Sequence, residues 1–78
     1  MADYLNLMYK NLAMAIVKQA ADDYKKAIKM LQLNPNNKEF KSSKREIEHF
    51  FNSAWFDTLC DLDGKKLAHD IREMVKGE

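Results

Sequence analysis

FKSSKREIEHFFNSAWFDTLCDL, residues 40–62, holds all four phenylalanines and the single tryptophan of a 78-residue chain. Phe40, Ile47, Phe50 and Phe51 recur at helical spacing, so a helix running to about Phe51 turns them to one side. Lys38, Lys41, Ser42, Lys44, Arg45, Glu46 and Glu48 then fall mostly outward. Asn52-Ser53 offers a fresh N-cap, and AWFDTLCD after it reads as a short third helix with Trp55 and Leu59 facing the core. The stretch is the aromatic plug of a small helical domain. Its rings cannot all face one way. On a continuous helix Phe56 points well away from Phe40 and Phe51, which makes Phe56 the aromatic expected at the surface as an interface anchor.

Upstream, Leu33-Asn34-Pro35-Asn36-Asn37 stops one helix and starts the next, with Asn34 as the expected cap and Pro35 at the first helical position. Ala2 to Gln32 contains neither Gly nor Pro. Leu5, Met8, Tyr9, Leu12, Ile16, Ala20, Ala27 and Leu31 form one apolar face at three- and four-residue steps, while Leu7, Met14, Val17, Ala21, Tyr24 and Ile28 form a second. A helix of this length is about 45 Å long, whereas a compact domain of this size is about 30 Å across. Either the helix breaks near Asn11 or Asp22, or its first turns project and pack on a second copy or another protein. Residues 1–14 are the expected extension of a single domain spanning 1–78, and Leu7, Met14 and Val17 join Phe56 as expected protein-interface residues.

Downstream, Asp61-Leu62-Asp63-Gly64 is a turn whose Asp63 caps a last helix from about Lys65 to Lys76, ended by Gly77. Its expected inner face is Leu67, Ile71, Met74 and Val75. The fold class is therefore all-α, a bundle of three to four helices with a long N-terminal helix.

Thirteen Lys and Arg against twelve Asp and Glu leave a formal charge of +1, too small for a general field that drives the chain onto nucleic acid or anionic membrane. The single Cys60 cannot form an intramolecular disulfide, and no Cys/His pair has zinc-ligand spacing, which fits a reducing compartment and no metal or cofactor. MADYLNLMYK lacks the order of a secretory signal, and no apolar run approaches the roughly 20 residues of a spanning helix. A cytoplasmic protein without membrane attachment is expected.

His49, His69 and Cys60 are the side chains with base or nucleophile chemistry near neutral pH, but their spacing forms no catalytic set. Placing Gly64 at the sixth position of a calcium loop puts Leu59 where the first carboxylate must stand, so Asp61 and Asp63 read as turn and cap residues. Lys38, Lys41, Lys44 and Arg45 step along one side of the second helix and form a candidate track for a phosphate backbone, although Glu39, Glu46 and Glu48 interrupt it.

From Ala15 to Met74 the chain resembles a group of small proteins encoded by phages and integrated mobile elements of Gram-positive bacteria. The resemblance is carried by Ala20, Asp23, Tyr24, Pro35, Glu46, Leu59, Asp63 and Leu67, and above all by Phe50-Phe51-x-Ser53-x-Trp55-Phe56. It implies a bacterial cytoplasmic setting and no particular chemistry. The expected function is accordingly that of a non-enzymatic protein that binds a host or phage protein as an inhibitor or regulator, with a homodimer as another way to cover the first helix. The alternative is a nucleic-acid-binding regulator using Lys38, Lys41, Lys44 and Arg45.

Overall fold

Without a Gly or Pro to interrupt it, the N-terminal segment forms one continuous helix, α1 (Ala2–Leu33), broken at neither Asn11 nor Asp22. This computed structural model describes the backbone of residues 2–77 and the side chains of residues 11–77. Three further helices follow: α2 (Lys38–Phe51), α3 (Ala54–Leu59) and α4 (Gly64–Lys76). The result is an all-α bundle in which α1 packs against each of the other three. The helices α2 and α4 have 14 and 13 residues, about 20 Å each at 1.5 Å per residue. Each is less than half as long as the 32-residue α1, and the molecule measures 50 × 24 × 17 Å.

The stripe of α1 that enters the core consists of Ala13, Val17, Tyr24 and Ala27, with Ala20, Ala21 and Ile28 packed beside it. This corrects the first of the two expected faces: Leu12 is 62% exposed and Ile16 only half-buried. Small residues decide the register, because alanines at the contact let helix backbones close in, whereas a reading weighted by side-chain size favours leucines. A similar correction applies to α4, where Ala68, Ile71 and Val75 are buried and Met74 is half exposed.

At the α1–α2 turn the capping residue is Asn37, not Asn34. Asn37 Oδ1 accepts from the Phe40 N–H at 3.1 Å, while the Asn34 N–H closes α1 on the Met30 carbonyl at 2.9 Å. The Asn37 N–H donates back to the Asn34 carbonyl, so Pro35 and Asn36 form the middle of a four-residue turn. Pro35 suits that place because its ring presets the backbone angle required there.

The end of α2 determines which aromatics are buried. The Ser53 hydroxyl donates to the Phe50 carbonyl at 2.7 Å and accepts from the Phe56 N–H at 3.1 Å, so one side chain ends α2 and begins α3. This break turns the chain away from a continuous helical course. Phe56 swings inward and is fully buried with Phe51 and Tyr24, whereas Trp55 is 58% exposed. Both assignments reverse the sequence expectation, which carried the α2 helical frame through residue 56 and put Trp55 inside. Phe56 meets Phe50 and Phe51 edge-on at centroid distances of 5.5 and 5.6 Å, and Tyr24 meets Phe51 at 5.6 Å and 87°. Edge-to-face pairs of this kind are favourable beyond the area they bury.

Helix α4 begins with Asp63 Oδ1 accepting from the Lys65 and Lys66 N–H groups at 3.0 and 3.3 Å. Gly64 is buried against the end of α2. A Cβ there would run into the Phe51 carbonyl oxygen and lie 2.7 Å from its carbon, so only glycine permits this approach. Among the described residues no helix is long and apolar enough to cross a membrane.

Candidate functional site

Of the depressions beside the α1–α2 contact among the described residues, the two most spacious differ in chemistry. The first is an apolar depression of about 490 Å³ formed by Ile16 and Ala20 of α1, Ile47 and Phe50 of α2, and Trp55 of α3. Trp55 stands over it, its ring edge-on to Phe50 at 5.7 Å and 74°. Leu12, one helical turn before Ile16, extends the same apolar face outward along α1. Gln19, Asp23 and Glu46 rim this groove, and Gln19 Nε2 donates to Asp23 Oδ1 at 3.0 Å.

The second groove, of about 600 Å³, lies between the C-terminal half of α1, α2 and α4. Lys41, Lys44 and Arg45 enter it from α2, and Arg72 and Lys76 from α4. Its apolar floor is Ile28, Leu31 and Pro35, and its one carboxylate is Glu48.

Glu48 belongs to a network that joins three helices. Its Oε2 accepts from the Tyr24 hydroxyl at 2.8 Å and lies 3.4 Å from Arg72 Nη1 and 3.7 Å from Lys44 Nζ. Arg72 Nη1 also donates to the Tyr24 oxygen at 2.9 Å. Burial pushes the Tyr24 phenol above its ordinary pKa; donation to Glu48 adds to the rise, and the hydrogen bond from Arg72 opposes it. Arg72 is held still more firmly protonated, chiefly by its bond to Tyr24. The network places one guanidinium face at the groove with its carboxylate already engaged.

The residues expected at a protein interface do not come together. Val17 and Phe56 are core residues, Met14 is 50% exposed, and the side chain of Leu7 lies outside the described residues. Val17 and Phe56 are therefore corrected from surface to core: Val17 lies on the stripe that packs on the other helices, and Phe56 is turned in by the break at Ser53. Among the described residues the exposed aromatic is Trp55. Ser53, legible in the sequence as a cap, marks where the helical frame restarts, but which side of the new helix faces the core is set by its packing on α1 and α2.

Of the expected basic track, Lys41, Lys44 and Arg45 line the second groove, and Lys38 is not among its lining residues. The sequence reading missed Arg72 and Lys76, which lie on α4 and reach the groove only through the tertiary packing. His49 and His69 are exposed, and Cys60 is half-buried with its Sγ 3.8 Å from the Phe56 carbonyl. Among the described residues no three His, Cys, Asp or Glu side chains gather as a metal site. Comparison with family models, with curated proteins and with solved structures returns no match for this chain.

Proposed function

We propose that this is a small non-enzymatic binding protein of phage or mobile-element origin that docks on a host or phage protein as an inhibitor or regulator. The observation that supports the docking is Trp55, 58% exposed beside an apolar groove, whereas the other large aromatics among the described residues are buried deeply or by half. A large ring held at the surface next to apolar side chains is the usual composition of an interface hot spot. The residues assigned to contact are Leu12, Ile16, Ile47, Phe50 and Trp55. Asp23 and Glu46 on the rim favour a partner whose apolar face is flanked by Lys or Arg. The resemblance through Phe50-Phe51-x-Ser53-x-Trp55-Phe56 supports the proposed origin.

The test is capture of a partner from lysate of a Gram-positive host by the wild type, by Trp55→Ala and by Met14→Glu. The expected partner is retained by wild type and Met14→Glu and lost by Trp55→Ala. Equal retention by Trp55→Ala overturns the assignment. Light scattering over a concentration series identifies a second copy as the partner if the mass doubles in the wild type and not in Trp55→Ala.

A further inference from the structure

The second groove carries a separate assignment. Five cationic side chains from two helices converge on it with one carboxylate between them, in a chain whose net formal charge is only +1. That carboxylate is already engaged by Tyr24, Arg72 and Lys44, and Lys76 pairs with Glu73 of its own helix at 3.6 Å. Lys41 and Arg45 form no ion pair among the described residues. Cations gathered in this way repel one another, and a bound anion relieves the repulsion.

The floor determines what kind of anion. Ile28, Leu31 and Pro35 give a ligand an apolar seat under the charges, so a bare inorganic ion would leave half of the groove unused. The volume of about 600 Å³ falls within the roughly 300–1,000 Å³ of small-ligand sites. It suits one or two nucleotide units better than a protein helix, which is roughly 10 Å thick. Arg45 and Arg72 each present a planar fork that takes two phosphate oxygens at once and can lie flat on a base. Glu48 and Tyr24 fix the orientation of Arg72 before any ligand arrives.

We propose that the groove between α1, α2 and α4 binds nucleotide phosphates, with Lys41, Lys44, Arg45, Arg72 and Lys76 on the phosphates and a base seated on Ile28, Leu31 and Pro35. The chemistry is shared by free nucleotides and by single-stranded nucleic acid. The site is independent of the Trp55 groove.

The experiment is fluorescence anisotropy of the full chain with a labelled thymidine oligonucleotide and, separately, a labelled nucleoside diphosphate, at low salt and over a salt series. Binding of the strand is expected to weaken with a log–log salt slope of about −0.7 per phosphate engaged, to about −3.5 if all five cations take part. Lys41→Glu with Arg45→Glu, both at exposed positions, is expected to lower affinity by at least about tenfold. Lys18→Glu, a single charge reversal on α1 away from the groove, and Trp55→Ala are expected to leave it unchanged. Binding of the diphosphate assigns the site to free nucleotides, and binding of the strand alone assigns it to nucleic acid. The proposal is overturned if neither probe binds at low salt, if the double variant binds like the wild type, or if polyglutamate displaces the probes as effectively as unlabelled strand.

Discussion

The Tyr24 hydroxyl donates to Glu48 Oε2 at 2.8 Å, joining residues 24 positions apart across the α1–α2 contact. Arg72 of α4 donates to the same hydroxyl at 2.9 Å, so one phenol ties three helices while its ring packs edge-on to Phe51. Tyr24→Phe keeps the ring and removes both bonds, leaving the Arg72–Glu48 pair. Urea unfolding is expected to show a loss of about 1–2 kcal/mol, and no measurable loss would mean that the hydroxyl is dispensable.

The raised phenol pKa gives that bond a pH dependence. The folded state favours neutral Tyr24, so its contribution is fully present below the ordinary tyrosine value of about 10. Above it the unfolded chain ionises first, and the contribution falls until pH reaches the folded value. The stability difference between wild type and Tyr24→Phe is therefore expected to shrink as pH rises past about 10, since the other titrating groups are common to both proteins. A difference that stays constant there contradicts the sign.

Gly64 and Gly77 make an internal comparison. A methyl group at Gly64 meets the Phe51 backbone, which cannot move without separating α2 from α4, whereas at Gly77 the nearest atoms are 3.6 and 3.7 Å away. Gly64→Ala is expected to lose at least about 2 kcal/mol. Gly77→Ala, whose backbone is already right-handed helical with φ −76°, is expected to be neutral or to gain a few tenths of a kcal/mol, at most about 1. Chemical denaturation of the two variants decides it.

Trp55 and Phe56 are adjacent in the chain and opposite in role. Phe56→Ala empties the centre of the aromatic cluster and is expected to lose about 3–5 kcal/mol. Trp55→Ala is expected to lose less than about 1 kcal/mol and to abolish partner capture. Thermal melts that rank the two the other way would place Trp55 in the core.

Ser53 bonds both the end of α2 and the start of α3. Ser53→Ala is expected to lose about 1–2 kcal/mol, the upper part of the range for a lost N-cap, because two bonds go with one hydroxyl. Circular dichroism of the folded variant should show helix content close to wild type, since α3 has only six residues.

Much of this fold could be read along the chain because the signals are local. The long N-terminal helix follows from 32 residues without Gly or Pro, the breaks from Asn34 to Asn37 and from Asn52-Ser53, and the Ser53 and Asp63 caps from side-chain oxygens placed two or three residues before the N–H groups they accept. Misreadings arose where the outcome depended on how helices approach one another. Choosing Ala13, Ala27 and Ala68 over Leu12 and Met74 for the core requires knowing which backbones come close, and the inward turn of Phe56 depends on the angle between α2 and α3.

The sequence by itself determined an all-α chain, its helix boundaries to within a few residues, and the basic side of α2. Only the tertiary structure decided that Trp55 rather than Phe56 reaches the surface, and that Arg72 and Lys76 complete a groove begun by Lys41, Lys44 and Arg45. The reason is the range of the forces involved. Helix propensity and capping act over three or four residues, whereas a groove and its charge come from side chains far apart in the chain, brought together only when the core closes.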